Sequence, residues 1–113
     1  MSADVSAPNE RITVTAGDDN QLSFELDENV SAWTDTTFTI WESTDNGVTP
    51  TGDPLVELDE ADGIAITPGD MSTVVVTIPE EYTATRGAIR YYQFYSRIDE
   101  LKTTLLRGAL DAT

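Results

Sequence analysis

The sequence contains no cysteine and no histidine, and Lys102 is its only lysine. Without cysteine there are no disulfides, no thiol nucleophile and no thiolate metal site, a composition that fits cytosolic synthesis. Without histidine the commonest general base and the commonest zinc ligand are both missing. No stretch approaches the roughly 20 consecutive apolar residues that cross a bilayer as a helix. The opening MSADVSAPNE has neither a basic nor an apolar segment, so it does not read as a secretory signal. Residues 1–10 are expected to form a flexible lead, and residues 11–113 a single domain.

What the chain has in excess is acid. Against 6 basic residues stand 21 acidic ones, for a formal charge of −15. Such a surface repels a nucleic-acid backbone, so no nucleic-acid partner is expected, and no membrane partner either. Acid with almost no lysine either suits a high-salt setting, marine or halophilic, where screening removes most of the self-repulsion, or is an ordinary solubility surface. A hydrophobic content of 39% is nevertheless enough for one core.

Period-two alternation runs through the chain. The final stretch, residues 87–111, reads as two strands joined by a turn at residues 98–101. In its first arm Tyr92, Phe94, Ser96 and Ile98 project to one side, Tyr91, Gln93, Tyr95 and Arg97 to the other. In its second arm Thr104, Leu106, Gly108 and Leu110 share a face. A two-stranded ribbon is only marginally stable alone, so it must dock on further strands. Candidates are residues 11–16, residues 21–27 with Leu22, Phe24 and Leu26 inward, and residues 36–42 with Phe38 and Ile40 inward. A weak edge strand at residues 55–58, a short strand at 64–67 and the valine-rich 72–79 complete the set. Trp33, in a polar connection, is expected to act as a lid, and residues 43–54 as the longest loop, turning at Asn46-Gly47. Proline and two glutamates at residues 79–81, with Gly87 beyond, predict one helical turn within residues 79–86. The fold class is therefore all-β: a small antiparallel β-sandwich of about eight short strands.

Catalytic chemistry finds little purchase. There is no Gly-x-Ser-x-Gly and no glycine-rich phosphate loop, and paired carboxylates carry no signal in a chain this acidic. Asp59, Glu60 and Asp62 are the best calcium candidates, but their spacing lacks a regular ligand ladder and reads as a solvated turn. No catalytic residue, cofactor or metal is assigned. The outward row Tyr91, Gln93, Tyr95 and Arg97, with Trp41, is the candidate interaction face, because tyrosines pairing an apolar body with a polar tip favour interfaces. The alternative is that Trp33 or Trp41 covers the tyrosines within the domain. Arg86, Arg90, Arg97 and Arg107 concentrate positive charge in the last third, either to meet an acidic neighbour or to neutralise Asp99, Glu100 and Asp111.

Taken in order, ITVTAGDDNQLSFEL, GIAI, TATRGAIRYYQFY and TTLLRGAL resemble the small immunoglobulin-like modules of tailed bacteriophages and their archaeal counterparts. Those modules open baseplate upper proteins and occur in receptor-binding and fibre-attachment proteins. Two features depart from them: Asp99-Glu100 stands where a glycine is usual in the last turn, and the chain stops at Thr113, so a free-standing module is expected. The resemblance implies an immunoglobulin-like fold and a non-enzymatic structural role in the virion, assembled in the host cytoplasm. It implies contacts with other virion proteins and with copies of itself, in tail, baseplate or fibre attachment, or as capsid decoration. The rival from another class is a carbohydrate-binding module stacking sugars on Trp33, Trp41 and the outward tyrosines.

Overall fold

The computed structural model describes residues 10–26, 29–30, 33–98 and 100–113. Among these residues eight strands form, in the order β1 (Ile12–Val14), β2 (Asn20–Leu26), β3 (Thr34–Glu42), β4 (Thr51–Asp59), β5 (Ile64–Thr67), β6 (Ser72–Ile78), β7 (Ile89–Ile98) and β8 (Leu101–Ala112). One 3-10 turn, Glu80–Tyr82, follows Pro79, as the Pro-Glu-Glu start predicts. No helix among the described residues is long and apolar enough to cross a membrane.

The strands divide into a five-stranded sheet, β1-β8-β7-β3-β4, and a three-stranded sheet, β2-β6-β5. All pairs are antiparallel except β1 with β8. Strands β2 through β8 thus take the places B, C, C′, D, E, F and G of an immunoglobulin domain, with C′ beside C. The fold is an all-β, immunoglobulin-like sandwich.

The core is what the alternation predicts. Phe38, Ile40, Leu58, Tyr92, Phe94 and Leu110 from the large sheet meet Ile64, Val74, Val76 and Ile78 from the small one. Phe24 of β2 stacks on Phe94 of β7 with ring centroids 5.0 Å apart, and Phe38 stacks on Tyr92 at 5.2 Å. One end of the core is polar yet satisfied: Thr36 Oγ1 and Ser96 Oγ lie 2.9 Å apart, and Ser96 also donates to the Thr34 carbonyl.

Two turns that are far apart in sequence lock together. The Gly17 N–H donates to the Thr83 carbonyl, and the buried Thr83 hydroxyl reaches the carbonyls of Asp18 and Glu80. Asp19 Oδ1 accepts the Glu80 N–H at 2.7 Å, satisfying a donor that the start of the 3-10 turn leaves free. The Gly-Asp and Thr-x-x-x-Gly steps of the sequence are therefore two halves of one junction.

Several expectations need correction. The edge strand expected at residues 55–58 extends over Thr51–Asp59, so the preceding loop ends at Pro50 and Pro54 lies inside β4. Proline is tolerated there because β4 is an edge with a register break opposite Trp41. Thr104 does not share a face with Leu106: the register shifts between Phe94 and Tyr95, leaving Leu105 as an extra residue. That bulge turns Thr104 outward beside Tyr95, while Leu106 stays opposite Phe94. Trp33, expected as a lid, is 8% accessible. Of the expected lead, residues 1–9 lie outside the described residues; Glu10 is held, its N–H on the Arg107 carbonyl and its carbonyl accepting the Tyr92 hydroxyl.

Burial pushes the Tyr92 phenol up to about 12 from an ordinary 10.0, with the nearby Glu10 carboxylate adding to the shift. The folded state thus holds a proton that the unfolded state releases between about 10 and about 12, so stability falls as pH rises through that window. Denaturant melts across it will show this decline in the native chain, and Tyr92→Phe will flatten it while lowering stability near neutrality by the lost hydrogen bond, about 1 kcal/mol.

Candidate functional site

The structure brings all five residues of the expected interaction face onto the outer side of the five-stranded sheet. Cross-strand pairing sets Trp41 opposite Tyr91, Thr39 opposite Gln93 and Thr37 opposite Tyr95. On the other flank Tyr91 meets Ala109, Gln93 meets Arg107, Tyr95 meets Thr104 and Arg97 meets Lys102. Directly opposed residues share a face, so these form a continuous field across β3, β7 and β8.

Exposure divides that field in two. Tyr91, expected to be exposed, is only 4% accessible. Its ring tilts against Trp41 with centroids 5.6 Å apart, and its hydroxyl accepts a hydrogen bond from Gln93 Nε2 at 3.1 Å. The β3–β4 connection closes over it. Gly47 in that loop is buried, and a Cβ built on it would stand 2.5 Å from Ala109 Cβ and 2.9 Å from the Arg90 carbonyl. Ala109 is the cross-strand partner of Tyr91, so the loop backbone rests on the end of the sheet that Tyr91 occupies.

The loop holds its shape through its own polar groups. Asp45 accepts from the Ser43 hydroxyl at 2.7 Å, from the Thr49 N–H at 2.9 Å and from the Thr49 hydroxyl at 2.5 Å. The Gly47 N–H donates to Ser43 Oγ at 2.9 Å. The Thr49 bonds foremost, with Ser43 assisting, hold the Asp45 carboxyl at about 2. The signal in the sequence was the Asn46-Gly47 turn; nothing local revealed that this turn packs on β8.

The other half stays open. Tyr95 is half-buried, with Lys102 Nζ 4.2 Å from its ring centre, a cation–π contact. Arg97 is exposed and pairs with Asp35 at 3.2 Å. Gln93 and Trp41 are partly covered. Thr39 lies beneath this surface, 1% accessible, and its hydroxyl has no partner among the described residues.

Local neutralisation accounts for only part of the basic last third. Arg90 binds Glu42 Oε1 at 2.7 Å and the Tyr82 carbonyl, and Asp111 is taken by Arg11 at 2.6 Å. Lys102 and Arg107 have no carboxylate within ion-pair distance among the described residues. The acidic turn at Asp59 is structural: Asp59 Oδ1 accepts the N–H groups of Ala61 and Asp62. Among the described residues no group of three acids comes together closely enough to hold a metal ion.

No protein-family model, no curated protein and no solved structure matches this chain. The immunoglobulin-like assignment accordingly rests on strand order and register.

The packing of Gly47 gives a direct test. Its φ of +83° and the close approach of Ala109 make Gly47→Ala strained on both counts. We expect that substitution to destabilise the domain by about 1–3 kcal/mol, read from denaturant melts. Trp41 emission will move to longer wavelength as the loop lifts from the Tyr91–Trp41 pair.

Proposed function

We propose that this chain is a non-catalytic adaptor of a tailed-virus particle, docking on other virion proteins through the open half of the outer sheet face. The observation that carries the reading is the patch made by Tyr95, Gln93, Arg97, Lys102 and Arg107. It sets an amphipathic ring among cations on a chain whose formal charge is −15. A rigid aromatic surface with guanidinium groups at its border is the composition of binding hot spots, and cations on an otherwise acidic body select an acidic partner. Strands underlie every member of the patch, so little backbone freedom is lost on docking. Its place in a virion is supported by the sequence resemblance alone; tail, baseplate or fibre attachment comes first, and capsid decoration is the variant.

The carbohydrate-binding alternative loses ground on geometry. Of the aromatic platform it requires, Trp33 and Tyr91 are buried, and Lys102 already occupies one face of Tyr95. Sugar stacking needs a free ring face.

Because Tyr91 is buried, its substitution would perturb the fold as well as the surface. Tyr95→Ala combined with Arg97→Ala is the cleaner probe. In virus grown with this variant, we expect its incorporation into purified particles to fall at least about tenfold, the loss of one to two hot-spot contacts. The isolated domain will keep its β-type circular dichroism. Incorporation equal to that of the native chain would refute the assignment of this face.

A further inference from the structure

We propose that copies of this chain join edge to edge, the free flank of β8 on one copy pairing antiparallel with the free flank of β4 on the next. This goes beyond the docking face above, rests on the backbone edges of β8 and β4 while sharing Lys102 with that face, and concerns association of the purified chain in solution.

The first observation is an unpartnered edge. β1 pairs with β8 only from Leu110 to Ala112, and among the described residues the last hydrogen bond on that flank runs from the Glu10 N–H to the Arg107 carbonyl. Residues 101–106 of β8, apart from the bulged Leu105, are paired with β7 on one side and, among the described residues, with no strand on the other. This is half of a twelve-residue strand, without proline and without acid. Such an edge is a template for another strand.

The second observation is that the same sheet ends in a complementary edge. β4 is its opposite border. Each neighbouring pair from β8 through β7 and β3 to β4 is antiparallel, so β8 and β4 themselves run in opposite directions. A second copy placed alongside in the same orientation therefore presents β4 antiparallel to β8, the more stable mode of pairing. Alternation of the ladder aims the N–H groups of Lys102 and Thr104 out from one flank and that of Glu57 out from the other. Asp59 ends the free part of β4, because its N–H is spent on the Asp62 carbonyl.

Charge agrees with that match. On the outer face β8 carries Lys102, Thr104 and Arg107, and β4 carries Glu57 and Asp59. A single lysine commonly guards an edge against pairing, but here it would meet two carboxylates instead of a like edge. Among the described residues four large apolar side chains are exposed, and each edge carries one, Leu55 (39%) on the outer face of β4 and Leu101 (50%) on the inner face of β8. The contact is heterologous, since different surfaces meet, so it yields rings or open strings according to whether the rotation between copies closes. In dilute buffer the net charge of each copy opposes it; at about 1 M salt the screening length is near 3 Å, which removes the long-range repulsion and spares contacts at hydrogen-bond distance.

Sedimentation of the full chain at high salt over a wide concentration range tests this. The native chain is expected to grow in mass with concentration. Lys102→Glu and Glu57→Lys will each abolish that growth, and the two substitutions together in one chain will restore it. Both positions are exposed, and β-type circular dichroism will check that each variant folds. Tyr95→Ala, the docking-face substitution, will leave the growth intact, so failure of either proposal can be told from failure of the other. A native chain that stays monomeric overturns the inference. So does a Glu57→Lys chain that still associates, which would mean β8 pairing with β8. Association that appears only after residues 1–9 are removed overturns it as well, assigning the flank to the chain's own leading segment.

Discussion

The stack of Phe24 on Phe94 is the contact on which the rest of the domain depends. It is the aromatic bridge between the two sheets, and it fixes which side of β7 faces inward. Once Phe94 and Tyr92 are committed to the core, the period of a strand leaves Tyr91, Gln93, Tyr95 and Arg97 no choice but the outer face. β3 is bound to the same decision through Phe38, which stacks on Tyr92. A one-residue slip of β7 would bring Arg97, Tyr95 and Gln93 into an apolar interior, so the core sets the surface as firmly as it sets itself.

That outer face is then shaped by a loop and by charge. The β3–β4 connection, braced by Asp45 and brought close by the absence of a side chain at Gly47, seals the end where Tyr91 and Trp41 touch. The opposite end keeps Tyr95, Arg97, Lys102 and Arg107 with few or no carboxylates beside them. An otherwise strongly acidic molecule thus gathers Arg97, Lys102 and Arg107 around one aromatic ring and along one sheet edge. Both features concern adhesion, and neither requires bond-making chemistry.

Most of the architecture was legible in the sequence because alternation at period two is unusually clean in Leu22–Leu26, Phe38–Ile40, Val74–Ile78 and Tyr91–Ile98. The 3-10 turn at Pro79 was legible from its turn chemistry, and the hairpin closing near residues 98–101 from the strand patterns on either side of it. What escaped were effects without a local signature. Leu105 is apolar on either face, so nothing in TTLL marks the bulge that sends Thr104 outward. Pro54 looked like a strand boundary, although an edge can absorb it. Thr39 looked like an ordinary outward threonine, yet its neighbours bury it. The side of the sheet on which Tyr91, Gln93, Tyr95 and Arg97 lie was read correctly and the exposure of Tyr91 was not, because the Trp41 ring and a loop from elsewhere in the chain pack at that end. The link between Gly17-Asp18 and Thr83 shows the same limit: both motifs were visible, and their meeting was a property of the fold.

The division of the outer face into a sealed and an open half is best measured by light-driven nuclear polarisation of the aromatic side chains, which marks rings that a dye can reach. The account predicts signal from Tyr95, with none from Tyr91 or Tyr92. Polarisation of Tyr91 as strong as that of Tyr95 would contradict it, since the loop would then not cover the sheet and the adhesive patch would be a different surface.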